Sequence, residues 1–308
     1  MLARPKDLGL TQVKPFHGGI VEHDYPSALG TDMHQAFELG VLLSGRVDRH
    51  YEDLVIGVKP GEVWLCAAWE PHGWRATAPQ AQELVLQFLP EFLGDEMFDN
   101  LSWLSLFSAP PAQRPRVTKP EMRKQMLAIA DELRKEMRER GQGWLAAVRL
   151  AILRLLLAIS REWKPGNQAE YRGPVRPGNL ARVMPAVRLV YSRPARRLSL
   201  EEAATACGLS VTQFAYIFRQ TMGLSFGKFS LRARLAYVGQ LLLSTDLPVE
   251  AVAEVAGFSD GSHLHHAFAR AYGCTPAHYR TDGRCMPNHG STYTVVEETP
   301  NEQAELRS

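Results

Sequence analysis

Along the first ~90 residues the apolar positions come in short runs: Leu39–Leu43, Leu54–Val58, Val63–Ala67 and Leu84–Leu89. Ser44-Gly45, Lys59-Pro60-Gly61 and Glu70-Pro71-His72-Gly73 separate them. Short runs ending at Gly, Pro and Asp predict strands, and several at this spacing predict a sandwich or small barrel. Pro110-Pro111 and Arg114-Pro115 then break the chain, and the period lengthens. Met122, Met126, Ile129, Leu133 and Met137 share one stripe of a helix expected over 121–140, which Gly141 and Gly143 end. A second helix, expected over 144–163, has two apolar stripes. One holds Leu145, Val148, Ile152, Leu155 and Ile159, the other Leu150, Leu153 and Leu157. Such a helix needs two partners. The preceding helix supplies one; the strands or a second copy of the chain supply the other, so 116–163 is expected to be a dimerising helical pair. Residues 164–179 mix Pro and Gly without an apolar period and read as a linker. Helical periodicity then runs to about residue 280, and 281–308 is polar and expected to be disordered.

Composition narrows the class. A chain of 308 residues, 45% hydrophobic and 22% charged, has the make-up of a globular protein with room for two domains. The greasiest stretch, 145–160, is cut by Arg149 and Arg154 and falls short of the ~20 apolar residues of a membrane span. Met1-Leu2-Ala3-Arg4-Pro5-Lys6-Asp7 lacks the apolar core of a secretory leader. Cys66, Cys207, Cys274 and Cys285 show no C-x-x-C spacing and read as reduced thiols. A cytoplasmic protein without a membrane partner is expected. Its charge is uneven: 174–284 hold 13 Lys and Arg against 7 Asp and Glu, whereas 1–173 hold 21 against 22. A basic C-terminal part suggests an anionic partner, most commonly nucleic acid.

That basic part contains one pattern twice. Leu198-Ser199-Leu200-Glu201-Glu202-Ala203-Ala204 is followed by Gly208-Leu209-Ser210, Phe218 and Gly223. Leu247-Pro248-Val249-Glu250-Ala251-Val252-Ala253 is followed by Gly257-Phe258-Ser259, Phe268 and Gly273. The offset is 49 residues up to Ser210/Ser259 and 50 at Phe218/Phe268, so one residue is inserted between. Ser199 is expected to cap a helix and Pro248 to suit a first turn. Ala204 and Ala253 let a second helix cross closely, and Gly208 and Gly257 supply the left-handed turn. Ser210 and Ser259 are expected to cap the next helix, buried through Phe214, Ile217 and Phe218, or Leu264, Ala267 and Phe268. This is a helix-turn-helix, whose second helix enters a DNA major groove. A helix over 226–243 joins the copies; at ~1.5 Å per residue it spans roughly 27 Å, near the ~34 Å of a DNA turn.

Glu250-x-x-Ala253-x3-Gly257-Phe258-Ser259-Asp260-x-Ser262, continued by Ala267-Phe268-x4-Gly273-x-Thr275-Pro276-x2-Tyr279-Arg280, resembles the signature of the AraC-type bacterial transcription regulators. The resemblance covers 180–280. It implies a DNA-binding domain there, a ligand-sensing and dimerising domain before it, a homodimer, and RNA polymerase as a partner if the protein is an activator. On the first recognition helix Thr212, Gln213, Tyr216 and Arg219 point away from the buried stripe. The family's base-reading positions fall on Thr212, Ala215 and Tyr216, and on Gly261, Ser262, His265 and His266 in the second helix. Arg219, Lys228, Arg232 and Arg270 are expected to contact phosphates. Leu264 stands where the family usually has Phe, and His266 where Arg is frequent.

In the first half, Asp32-x-His34-x3-Glu38-x6-Gly45 and Pro71-His72 resemble the two parts of the cupin signature, with Asp32 in place of the first histidine. The expected fold is therefore α+β: a cupin-like β-barrel over 1–115, the helical pair, and an all-α domain with two helix-turn-helix motifs. The resemblance implies that His34, Glu38, His72 and Trp74 line a pocket for a small polar effector such as a sugar, with neither metal nor other cofactor. Trp64 and Trp69 add indole faces. Two histidines and a carboxylate can also hold iron, manganese or nickel. A metal-dependent cupin-type enzyme with an accessory helical module is thus the alternative to the expected regulator without catalytic residues.

Overall fold

The computed structural model describes residues 4–6, 8–11, 13–51, 54–99, 101–163, 178–285 and 291–295. In chain order the N-terminal strands are β1 (Arg4–Pro5), β2 (Phe16–His23), β3 (Gly30–Met33), β4 (Phe37–Ser44), β5 (Val47–Tyr51), β6 (Leu54–Val58), β7 (Val63–Cys66), β8 (His72–Ala76) and β9 (Ala81–Phe88). A short hairpin, β10 (Met97–Phe98) and β11 (Leu101–Ser102), follows, and β12 (Ser291–Val295) returns near the C-terminus. They form two five-stranded sheets ordered β1-β3-β8-β5-β6 and β12-β2-β9-β4-β7.

The expectation of a closed barrel is corrected. Both sheets are open, they share no strand, and no ladder joins an edge of one to an edge of the other among the described residues. Edge strands β1 and β7 have only two and four residues. The second sheet is covered by helices instead of curling round. Helix α1 (Pro90–Leu93) and α2 (Trp103–Ser108) precede α3 (Pro120–Glu139) and α4 (Trp144–Glu162), and α2 and α3 pack on β7, β4 and β2. Alternation in β4 shows the layering. Phe37, Leu39 and Val41 join the helices in one core, whereas Leu42 joins Val47, Tyr51 and Trp64 in a core shared by both sheets. The apolar stripes of α3 and α4 face each other, leaving Leu150 of α4 at 62% exposure.

Among the described residues, seven helices build the C-terminal part: α5 (Asn179–Ser192), α6 (Leu200–Ala206), α7 (Val211–Met222), α8 (Phe226–Ser244), α9 (Val249–Val255), α10 (Gly261–Tyr272) and α11 (Pro276–Cys285). Most of the expected linker, 164–177, lies outside the described residues. The expectation of a disordered 281–308 is corrected in part: α11 runs to Cys285, and β12 pairs antiparallel with β2 from Ser291↔His23 to Val295↔Gly19. The rest of that stretch lies outside the described residues. Asp95 ties the halves together. Its carboxylate accepts from the backbone N–H groups of Leu180 (2.7 Å) and Ala181 (3.1 Å), at the start of α5. No helix among the described residues is long and apolar enough to cross a membrane.

Candidate functional site

Each helix-turn-helix is built from local chemistry. Ser199 and Glu202 form a capping box on α6, and Ser210 and Gln213 form another on α7. These bonds satisfy backbone donors that a helix start leaves open. Gly208 and Gly257 take φ +63° and +68° at the turns, a backbone that favours glycine. In the second copy Asp260, not Ser259, caps α10, accepting from the His263 N–H at 2.7 Å. Ser259 is therefore the inserted residue, and its hydroxyl donates to Asp260 at 3.0 Å. Pro248 precedes α9 and contributes no side-chain cap.

The faces opposite the buried stripes are exposed. Thr212, Gln213, Tyr216 and Arg219 of α7 are exposed and Ala215 half-buried; on α10, Ser262, His265, His266 and Arg270 are exposed and Gly261 half-buried. Lys228 is exposed and Arg232 half-buried on α8. Gln213 is engaged in its cap, so its side chain serves the helix start as well as the surface. Arg280 of the signature is structural. Its guanidinium donates to the carbonyls of Leu242 (3.2 Å) and Leu247 (2.5 Å), closing the end of α8.

Three of the four expected effector residues converge between the sheets. Strand register brings them there: Asp32 pairs with His72 across β3 and β8, and Glu38 lies between Cys66 on β7 and Gln87 on β9. His34 Nε2 lies 3.2 Å from Glu38, and His72 Nε2 lies 2.7 Å from Asp32 and 3.6 Å from Glu38. The Asp32–His72 contact is short but poorly aligned, a charge contact more than a hydrogen bond. Glu38 also accepts from the Trp64 indole (2.9 Å) and the Gln87 amide (2.9 Å). Burial opposes the charge of His72, yet Cys66, Asp32 and Glu38 around it hold its pKa well above the ordinary histidine value. Burial likewise works against ionised Glu38 and Asp32, but the His72 charge pulls both below the usual carboxylate range. His72 thus sits between two carboxylates that favour its protonated form.

Sequence reasoning missed Arg49. Its guanidinium is buried, donates to Glu83 at 2.6 Å and lies 3.6 Å from the Trp64 ring centroid. The Trp64 ring also covers Gly40, where a Cβ would meet it at 1.8 Å. Trp64 is therefore committed to internal contacts, whereas Trp74 stays half-buried, 6.0 Å from Arg49. The signal for Arg49 was a basic residue at an inward position of a period-two strand, hidden by the polar pair Asp48 and His50 flanking it. The neighbouring cavity, lined by Arg49, Tyr51 and Trp64, has about 20 Å³, room for a water. As a donor set, Asp32, His34 and His72 bring ligand atoms within 4.8 Å of one another, and so do Glu38, Cys66 and His72. Both histidines place Nδ1 against a backbone carbonyl, of Ala36 (3.1 Å) and Glu70 (2.8 Å), leaving Nε2 inward. A divalent cation would fit there only by displacing the His72 proton.

Residues 203–282 match the helix-turn-helix domain family. The probable transcriptional regulator LumQ of Photobacterium leiognathi is 33% identical over 85 residues, 28% of this chain and 34% of LumQ. The RCS-specific transcriptional activator RclR of Escherichia coli is 33% identical over 87 residues, 28% of this chain and 31% of RclR. ToxT from Vibrio cholerae aligns over 87% of this chain and 98% of its own at TM-score 0.47 and 11% identity. This chain thus spans about a third of the length of the curated relatives it matches. LumQ and RclR are both described as transcriptional regulators, and the similarity to each is confined to the helix-turn-helix part of this chain. Residues 203–282 are a helix-turn-helix domain similar to that of AraC-type transcription regulators, preceded by a β-sheet and helical region that the family match does not reach.

Proposed function

We propose that the protein is a ligand-responsive transcription regulator that binds double-stranded DNA through both helix-turn-helix motifs. The observation that carries this reading is the pair of glycine-turned hairpins, each presenting an exposed polar face on α7 and α10 beside the basic α8. Thr212, Gln213, Ala215, Tyr216, Gly261, Ser262, His265 and His266 are the base-facing set, and Arg219, Lys228, Arg232 and Arg270 the phosphate-facing set. Footprinting of the full chain on duplexes selected from a random pool tests it. Two protected major-groove segments about one turn apart per protomer are expected; a single segment would reduce one motif to scaffold.

The finer reading has 1–115 as the effector-binding part, with His34, Glu38, His72 and Trp74 facing a small polar effector such as a sugar. The convergence of three of these residues supports it. His34, Glu38 and His72 are buried, so an effector that reaches them parts the sheets, which gives binding a way to shift the molecule between two states. Residues 116–163 are read as the dimer element, supported by exposed Leu150 beside half-buried Leu153 and Leu157. An activator would present its remaining surface to RNA polymerase. Thermal stabilisation by a panel of sugars, lost in His34→Ala with His72→Ala, tests the effector site.

A further inference from the structure

A cleft of about 840 Å³ lies between the two motifs. It is lined by Arg197, Glu201 of α6, Arg219 of α7, Ser225 at the start of α8, Arg234 of α8 and His263 of α10, among others. Three guanidinium groups thus meet one carboxylate. Arg234 is 7% exposed, amid the buried apolar positions Ala233, Leu235, Ala236 and Val238. Among the described residues no carboxylate pairs with it. Its Nη1 makes one long hydrogen bond, 3.4 Å to the Gly257 carbonyl, its Cζ lies 4.3 Å from the Phe258 ring centroid, and its Nε has no partner. Burial, with the Arg197 charge nearby, pushes its pKa down, yet a guanidinium stays charged in water-facing clefts. A cation held this way without a counter-ion is unfavourable until an anion arrives.

We propose that this cleft seats the phosphodiester backbone of DNA, with Arg234 and Arg197 gripping a phosphate between the two major-groove segments. The inference rests on the two-motif reading of DNA binding. A duplex read in successive segments by α7 and α10 must carry its backbone past the space between those helices, and that space holds the unpaired guanidinium. The fork geometry of arginine suits two phosphate oxygens at once. Arg234 falls outside the phosphate contacts expected from sequence because its position belongs to the core stripe of α8.

Anisotropy of a labelled random-sequence duplex of about three helical turns, titrated with the full chain across ~50–200 mM salt, tests the clamp. Arg234→Met, which fills the same space without charge, and exposed Arg197→Gln should each weaken binding about 10-fold. Each should also flatten the slope of log affinity against log salt by about one, a change that lost packing alone would not produce. Arg138→Gln on α3 should alter neither. Wild-type slopes in both variants overturn the clamp and leave two-motif binding standing. A wild-type chain that binds no duplex overturns the reading beneath it. Pyrophosphate stabilising the wild type but not Arg234→Met, with duplex slopes unchanged, assigns the cleft to a small phosphorylated ligand and also overturns the proposal.

Discussion

In the first helix-turn-helix both helices start in a capping box; in the second neither does, and α9 starts at Pro248 with no side-chain cap at all. The cores differ as well. Phe214 and Phe218 of the first copy, with Phe226 at the start of α8, belong to the apolar core that also holds Leu39 of β4, Leu86 of β9, Ile129 of α3 and Ile152 of α4. Leu264, Phe268 and Tyr272 of the second belong to a smaller cluster with Tyr279 of α11 and residues of α8. The N-terminal half takes part in it through Met33, with Trp69 packed against it, while α8 also lies against β1. Phe268 and Tyr272 stack at 4.2 Å there. A repeated sequence therefore sets the hairpin, while the flanking helices decide what it is anchored to. The first motif is continuous with the sheets, so a rearrangement between the sheets reaches it first.

The sharpest break of this comparison is a pair of core truncations. Phe218→Ala and Phe268→Ala should each cost about 3–5 kcal/mol. Hydrogen exchange on the full chain should show Phe218→Ala exposing β4, β9 and α3 together with α7. Phe268→Ala should expose α9 to α11 and spare the sheets. Equal loss of protection in the sheets for both variants would make the two cores one unit, and the contrast would collapse.

Next in size is His72→Ala, which removes the cation lying between the buried Asp32 and Glu38 carboxylates and should cost about 3–5 kcal/mol. Its effect should loosen α7 more than α10, since the first motif shares the core behind β4. The pH dependence has a definite sign. The folded pKa of His72 is raised, so its stabilisation is complete below the ordinary histidine value near ~6.5 and is lost as pH rises through the folded value. Asp32 and Glu38 are lowered, so the same ion pairs, viewed from the acids, are complete above ~4 and lost as pH falls through their depressed values. Melting temperature should plateau between those limits, and His72→Gln should remove the alkaline decline. A wild-type decline unchanged in His72→Gln would place the titrating group elsewhere.

Much of the fold was legible in the chain. The run Leu54–Val58 is β6 itself, the helix expected over 121–140 is α3, and the joining helix expected over 226–243 is α8. Both helix readings work because the ends carry Gly, Pro or a cap. Strands β2, β3, β5 and β8 were illegible: His17, Gly18 and Gly19 in β2, or Asp48, Arg49 and His50 in β5, look like loop residues until the partner sheet supplies inward acceptors. Sheet closure was illegible too, because alternation specifies a strand's faces and not which edges meet. In the site, the resemblance of residues 32–45 and Pro71-His72 to the cupin signature is what pointed to His34, Glu38 and His72 together. Arg49, Glu83 and Gln87 emerged only from cross-strand register.

The smallest effect separates the two caps. Ser210→Ala should cost about 1 kcal/mol at any pH, because a hydroxyl cap carries no charge to titrate. Asp260 is different. The His263 N–H and then the Ser259 hydroxyl donate to its carboxylate and lower its pKa. A lowered acid stabilises the fold above its unfolded value near ~3.9 and loses that contribution as pH falls through the folded one. Acidification should therefore fray the first turn of α10 while that of α7 holds. Asp260→Asn keeps a good capping side chain and removes the titration, so its α10 should exchange alike on both sides of the transition. Amide exchange at His263 and Leu264 against Gln213 and Phe214, taken at pH values bracketing ~4, reads this directly. Equal fraying of α7 and α10 in acid would show that a more global unfolding, and not the cap, responds to the proton.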